Sequence, residues 1–225
     1  MLSPHGVTSN AEFGFPTYSR AERWLDTAVH LIGVPAGVAA ALWLLAQVSR
    51  TASGQLILSM AIYAVGLVGM LGASAAYHLA GPGRAKELLR RADHAMIFVM
   101  IAGSYTPFAL NGLAPPGGAV LCGLIWLLAA LGIALKLLFP RRVERLSLAL
   151  YLGMGWAVLA VIRPLIERLP AGSLGLLLGG GVVYSLGALI YTRRGIKYHT
   201  VVWHVLVLVA AGLHVSALYV AFLAT

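Results

Sequence analysis

Charge is what this sequence has least of. Only 10% of its 225 residues are Asp, Glu, Lys or Arg, against 60% apolar, whereas a soluble domain carries roughly 25% charged residues. A water-exposed surface cannot be built from that stock, which excludes an ordinary soluble enzyme or binding module. Cysteine is nearly absent as well. Cys122 stands alone inside an apolar run, so no intramolecular disulfide is possible and no redox compartment can be read. The first 26 residues are polar and contain no short apolar core followed by a cleavage site. No cleavable signal peptide is expected, and residues 27 to 49 are expected to target the chain to the membrane.

What fills the space between charges is apolar. Residues 27–49, 51–83, 95–135, 146–162, 169–192 and 198–225 contain no Asp, Glu, Lys or Arg. About 20 apolar residues are what a helix needs to cross a 30 Å hydrocarbon layer. The 95–135 run is too long for one helix and is broken by turn residues at Asn111, Pro115, Pro116, Gly117 and Gly118. Six runs therefore hold seven spans, predicted near 27–48, 56–79, 93–110, 119–138, 146–163, 172–191 and 199–221. The expected fold is an all-α integral membrane protein, a seven-transmembrane helix bundle. Residues 1–26 form an amino-terminal segment and 27–225 the membrane domain.

The net charge of +9 reads as topology and not as nucleic-acid binding, because the basic residues flank apolar runs. Of the 16 Lys and Arg, 13 sit before the first span or in connections on the same side as it, while Arg50, Arg163 and Arg168 lie on the other. By the positive-inside rule the amino terminus is cytoplasmic and the carboxyl terminus outside. The excess charge meets anionic headgroups of the inner leaflet. Lys136, Arg141, Arg142 and Arg145 read as interface anchors. Small residues such as Gly69, Gly72, Ala73 and Ser74, or Gly179 to Gly181, fit close helix packing.

Ionisable residues within spans are costly and normally face the bundle interior. Here they are His30, His78, Asp93, His94, His199, His204 and His214; His5 lies in the polar tail and carries no signal. Alternating span direction sets their depth. Ser74 and His78 end span two near the cytoplasmic face, Asp93 and His94 begin span three there, and His199 and His204 begin span seven. His30 shares that depth. His214 lies about 15 Å beyond His204 at 1.5 Å per residue, too far to share an ion with it. Ser74 and His78 are i and i+4, on one helix face. Imidazoles plus a carboxylate on rigid helices, with one position open to water, suit catalytic zinc. The carboxylate would orient a histidine or take a proton from water, the Ser74 hydroxyl would hydrogen-bond that water, and zinc would lower its pKa to about 7. The plainer reading of Asp93 is an acidic residue favoured by the helix dipole, and that of any single histidine is an interfacial residue.

The chain resembles the hemolysin III branch of the progestin and adipoQ receptor family, itself grouped with alkaline ceramidases. The matching residues are Ser74 to His78, Arg91 to Ala95 running into Ile101 to Phe108, His199 to His204 followed by Val205 to His214, Asp26 to Gly33 with His30, Leu150 to Trp156, and Gly180 to Tyr191. The resemblance covers nearly the whole chain. It implies seven helices with zinc near the cytoplasmic face, bound by His78 and His204, with Ser74 and Asp93 as close neighbours. In one respect the chain departs from the family. The family's last motif is usually His-x-x-x-His, but Thr200 stands four before His204 and the histidine sits one earlier, at His199. Five residues rotate a helix by about 140° from facing, against about 40° for four. A π-bulge or an unwound entrance would bring His199 round; otherwise the third ligand is His30, Asp93 or water.

The resemblance further implies a multi-pass protein of the bacterial cytoplasmic (inner) membrane. The leading functional expectation is a zinc-dependent hydrolase of a lipid amide or ester, with metal ligands His78, His204 and His199 and catalytic residues Ser74 and Asp93. The alternative is a non-enzymatic sensor or membrane-homeostasis protein with structural zinc. A cytolysin is suggested only by the family name, and nothing in the sequence reads as a secreted toxin. A proton or ion transporter lacks paired charges in the outer half of the spans.

Overall fold

The computed structural model describes residues 15, 17–49, 53–139, 142–193 and 195–224. His5, Arg50 and Arg141 lie outside the described residues. Among the described residues, seven helical segments are long and apolar enough to cross a membrane and no strand is present, and the protein is a multi-pass integral membrane protein. They are α1 (Arg20–Val48), α2 (Gly54–Leu79), α3 (Arg84–Gly112), α4 (Gly117–Leu138), a fifth span made of α5 (Glu144–Trp156), a 3-10 turn (Ala157–Val161) and α6 (Ile162–Ile166), then α7 (Ala171–Thr192) and α8 (His199–Phe222).

The helical segments overrun the expected spans most at the starts of α1 and α3, and both overruns have local causes. α1 begins at Arg20 because Ser19 and Glu22 form a capping box: the Glu22 amide donates to Ser19 Oγ at 3.2 Å and the Ser19 amide to Glu22 Oε2 at 2.8 Å. Two otherwise orphaned amides are thereby satisfied. α3 begins at Arg84, after Gly83 at φ 147° supplies a backbone conformation that a side chain rarely adopts. Its first two turns are charged and amphipathic, so apolar-run counting does not find them.

Successive spans are joined by short connections and alternate in direction. α1 packs on α2 and on α8, α2 on α3, α3 on α4, α4 on α5, α5 on α7 and α7 on α8, which closes a ring. Leucines such as Leu31, Leu42, Leu127, Leu131 and Leu189 face outward, as a surface solvated by lipid requires. Lipid gives no hydrophobic drive between helices, so close approach and interhelical hydrogen bonds hold the bundle. At the α2–α3 contact a Cβ on Gly66 would lie 3.5 Å from Met100 Cα, and one on Gly103 would lie 3.4 Å from the Ile62 carbonyl oxygen. Trp156 Nε1 donates to Ser185 Oγ at 2.9 Å, and Ser173 Oγ donates to the Ala217 carbonyl at 2.8 Å.

The interruption of the fifth span is also satisfied internally. Tyr105 of α3 donates its hydroxyl to the Met154 carbonyl at 2.7 Å, and the Val158 amide donates back to the same hydroxyl oxygen at 2.7 Å. In hydrocarbon no water can take over these backbone groups, so a break in a helix persists only where a neighbour supplies partners.

Candidate metal centre

The inner stripe of α1 decides where the site forms. Its buried residues are His30, Gly33, Gly37, Ala41, Leu44 and Val48, at helical spacing. A Cβ on Gly33 would sit 2.8 Å from Leu208 of α8, and one on Gly37 would collide with Leu71 of α2. The two glycines let α1 lie close to both neighbours. One turn toward the amino terminus, that close approach sets His30 between His78, in the last turn of α2, and His204, in the second turn of α8. Asp26, at i−4 from His30, shares its face.

These four side chains meet. Asp26 Oδ1 lies 2.6 Å from His204 Nδ1 and Asp26 Oδ2 lies 2.8 Å from His78 Nδ1. His30 Nε2 stands 3.9 Å from Asp26 Oδ2. The ring centroids are 4.4 Å apart for His78 and His204, 4.5 Å for His30 and His204, and 5.2 Å for His30 and His78. One ligand atom from each of the four falls within 4.8 Å of all the others.

The donor set fits a metal ion on two grounds. Three imidazoles with a carboxylate behind them are a set that zinc takes, and zinc with tetrahedral bonds of about 2.0–2.1 Å would hold the three imidazole nitrogens about 3.3 Å apart, a contraction that small side-chain movements supply. The second ground is an unmet need. His30 is 5% exposed, and its Nε2 is buried without a hydrogen-bond partner. An unsatisfied buried polar atom costs about 1–3 kcal/mol, and a cation among these rings would relieve it.

The sequence candidates fall into three places. His78 and His204 are brought together, and His30 joins them. Ser74 and Asp93 stand next to this group without belonging to it: both line the cavity onto which His30, His78 and His204 open, and the buried Asp93 carboxyl is in reach of Ser74 and His204. His199 stands apart. α8 is regular α-helix from its first residue, so the five-residue step is not corrected by a bulge, and His199 Nδ1 turns back to the Ile196 carbonyl at 3.0 Å. Its ring lies 6.1 Å from Tyr18 and 6.3 Å from Tyr191, centroid to centroid. Thr200 takes the inward face and donates to Tyr18 Oη at 3.1 Å.

Of the remaining histidines within the spans, His94 lines the cavity while its carbonyl accepts from Tyr151 Oη at 2.7 Å. His214, packed against Gly180, directs Nε2 to the Leu177 carbonyl at 3.3 Å. The cavity holds about 790 Å³ and extends from the histidine group as far as His214. Its walls are mostly apolar, with Met70, Ile97, Ile101, Leu152, Leu177 and Val207 among them.

Two residues of this region escaped the sequence reading. Asp26 enters the sequence argument only as the start of the family-like Asp26 to Gly33 stretch and not as a site residue, although it stands at i, i+4 to His30. Lys136 is no interface anchor: it is 2% exposed and lines the cavity.

Residues 18–215 match the family described as haemolysin-III related. The chain belongs to the haemolysin-III-related family. Among curated relatives, this haemolysin-III-related protein is 34% identical to the Hemolysin-3 homolog of Bacillus subtilis (strain 168), over 83% of its own length and 88% of the relative's. It is 32% identical to Hemolysin-3 of Bacillus cereus, over 83% and 85%. It is also 28% identical to the human Monocyte to macrophage differentiation factor, over 70% of this chain and 68% of that one. That likeness carries the family beyond bacteria and supports the relationship with the progestin and adipoQ receptors. No solved structure matches the chain.

Proposed function

We propose that this protein is a zinc-dependent hydrolase of a lipid amide or ester in the bacterial inner membrane, its amino terminus and the histidine group on the cytoplasmic side. The observation that carries the reading is the group of buried His30 and His204 with half-buried His78 and Asp26, opening onto a largely apolar cavity that also receives Ser74 and Asp93. Zinc held there would supply a Lewis acid and acidify a water molecule.

The residues divide the work. His30, His78 and His204 would hold the ion. Asp26 fixes the orientation of two of the imidazoles through their Nδ1 atoms, as carboxylates behind metal-bound histidines do. Asp93, outside the ligand group yet within reach of it, takes the proton from water and returns it to the leaving group. Ser74 holds the Asp93 carboxyl in place. The apolar walls accept the lipid chain, exclude bulk water and so strengthen the polar interactions at the carbonyl. The orientation rests on the excess of Lys and Arg at this end of the bundle. Anionic headgroups of the inner leaflet meet that charge.

The test is turnover of a fluorescent ceramide and of a fatty-acyl ester by purified protein. Asp93→Asn should keep its zinc and lose at least about a hundredfold in rate, the scale of general acid–base catalysis. Undiminished turnover by a metal-free His78→Ala variant would overturn the reading.

One observation favours a second reading. The four donors come from α1, α2 and α8, so an ion there also ties three helices together, as a structural zinc in a non-enzymatic sensor or membrane-homeostasis protein would. Under it, His78→Ala lowers the melting temperature and no chemistry is lost. One relative is named Hemolysin-3 and another Hemolysin-3 homolog. A lytic activity of this chain would show as release of a dye from vesicles, and the cavity reading predicts none.

A further inference from the structure

Lys136 does not behave like a membrane-interface lysine. The buried residues of α4 are Gly118, Cys122, Ile125, Ala129, Gly132 and Lys136, and the last five of these step by three and four along one helical stripe. Lys136 thus occupies an inward position, while Leu137 and Leu138 beside it are exposed and Leu138 is 70% so. An anchoring lysine extends its ammonium to the headgroups. This one is withdrawn into the cavity wall.

The acids around Lys136 are otherwise engaged. Glu87 holds Arg90 with both carboxylate oxygens, at 3.0 and 3.2 Å, and Glu144 lies 3.6 Å from the same guanidinium. Asp93 is engaged by the Ser74 hydroxyl. Among the described residues the Lys136 ammonium has no hydrogen bond and no ion pair, though Glu144 and Asp93 act on it at longer range. A buried charge is costly unless it is paired. Its open side is the cavity, which it shares with Asp93, His94 and Tyr151.

We propose that Lys136 recognises the anionic group of an amphiphilic ligand, a carboxylate or phosphate oxygen at the end of an apolar chain, so that the cavity's ligand is an anionic lipid. The inference rests on the cavity of the proposed hydrolase being a ligand site, and not on zinc or turnover. The ammonium provides up to three donors to such a group, and in a poorly hydrated wall a charge-assisted bond is stronger than a neutral one. The apolar stretch between this end and His214 accepts the chain.

The test is binding to the purified full-length protein, read by the fluorescence of Trp156 and Trp203, which line the cavity, with and without a zinc chelator. The probes are dodecyl phosphate, dodecanol and inorganic phosphate. Wild type should bind dodecyl phosphate at least about tenfold tighter than dodecanol, the scale of one charge-assisted hydrogen bond. Lys136→Met, close in volume, should lose that preference while still binding dodecanol, and Lys136→Arg should restore it. Equal affinity of the wild type for the two dodecyl probes overturns the proposal even if the Met variant fails to fold. So does an unchanged preference in Lys136→Met. Competition by inorganic phosphate as effective as that by dodecyl phosphate would assign the site to a free anion and overturn the lipid. Loss of zinc or of turnover with the preference intact would count against the hydrolase and leave this inference standing.

Discussion

Replacing Asp26 by Asn changes the centre by one atom type, and its consequence can be worked from two distances. The carboxylate accepts from His204 Nδ1 at 2.6 Å and from His78 Nδ1 at 2.8 Å, so both rings present the other nitrogen, Nε2, free of a proton. An amide has one acceptor oxygen and one donor group. In Asp26→Asn one imidazole keeps its N–H bond to oxygen, weakened by loss of the charge, and the other must switch tautomer or lose its partner. Hydrogen bonds to charged groups contribute about 1.5–3 kcal/mol and neutral ones about 1 kcal/mol. The variant should therefore be less stable by about 1–3 kcal/mol without metal, allowing for some rescue by the tautomer switch. Zinc affinity should fall about 10- to 100-fold, the usual effect of removing a carboxylate behind a histidine ligand. Competition against a calibrated chelator in detergent measures the affinity, and thermal melting with and without zinc measures the stability. Unchanged affinity together with unchanged melting would falsify the claim that Asp26 organises the group.

The other predictions concern the frame around the site. His199→Ala should retain wild-type zinc content by elemental analysis, because its ring turns to the Ile196 carbonyl. Tyr105→Phe strands the Val158 amide within the fifth span and should cost about 1–3 kcal/mol, the cost of an unsatisfied buried donor, read as a lower melting temperature with zinc still bound. Gly180→Val should destabilise by a similar amount, since even a Cβ at that position would lie 2.7 Å from the His214 ring and overpacking costs about 1–3 kcal/mol.

The spans were legible because hydrocarbon leaves no choice: charge-free runs of the right length and a turn at Asn111 to Gly118 dictate seven helices. Depth was legible too, since alternating direction puts His30, His78 and His204 at one level. Azimuth was harder to read. A single residue rotates a helix by 100°, and the histidine at 199 instead of 200 is enough to carry it from the group to the rim. Asp26 escaped because counting apolar runs treats a flanking charge as a boundary, while the helix runs through it from a cap at Ser19. Lys136 escaped because its neighbours in sequence, Leu137 and Leu138, do face outward; only the α4 stripe through Ala129 and Gly132 reveals its direction. Asp93 and Ser74 were placed by the same depth argument that found the histidines.

Zinc content measures the claim on which the rest depends. Purified wild-type protein should carry about one zinc per chain, reduced to background in each of His30→Ala, His78→Ala and His204→Ala and kept in His199→Ala. A wild-type chain that takes up no zinc from a buffered supply, or a His30→Ala and His204→Ala pair that both retain it, would contradict the centre described here.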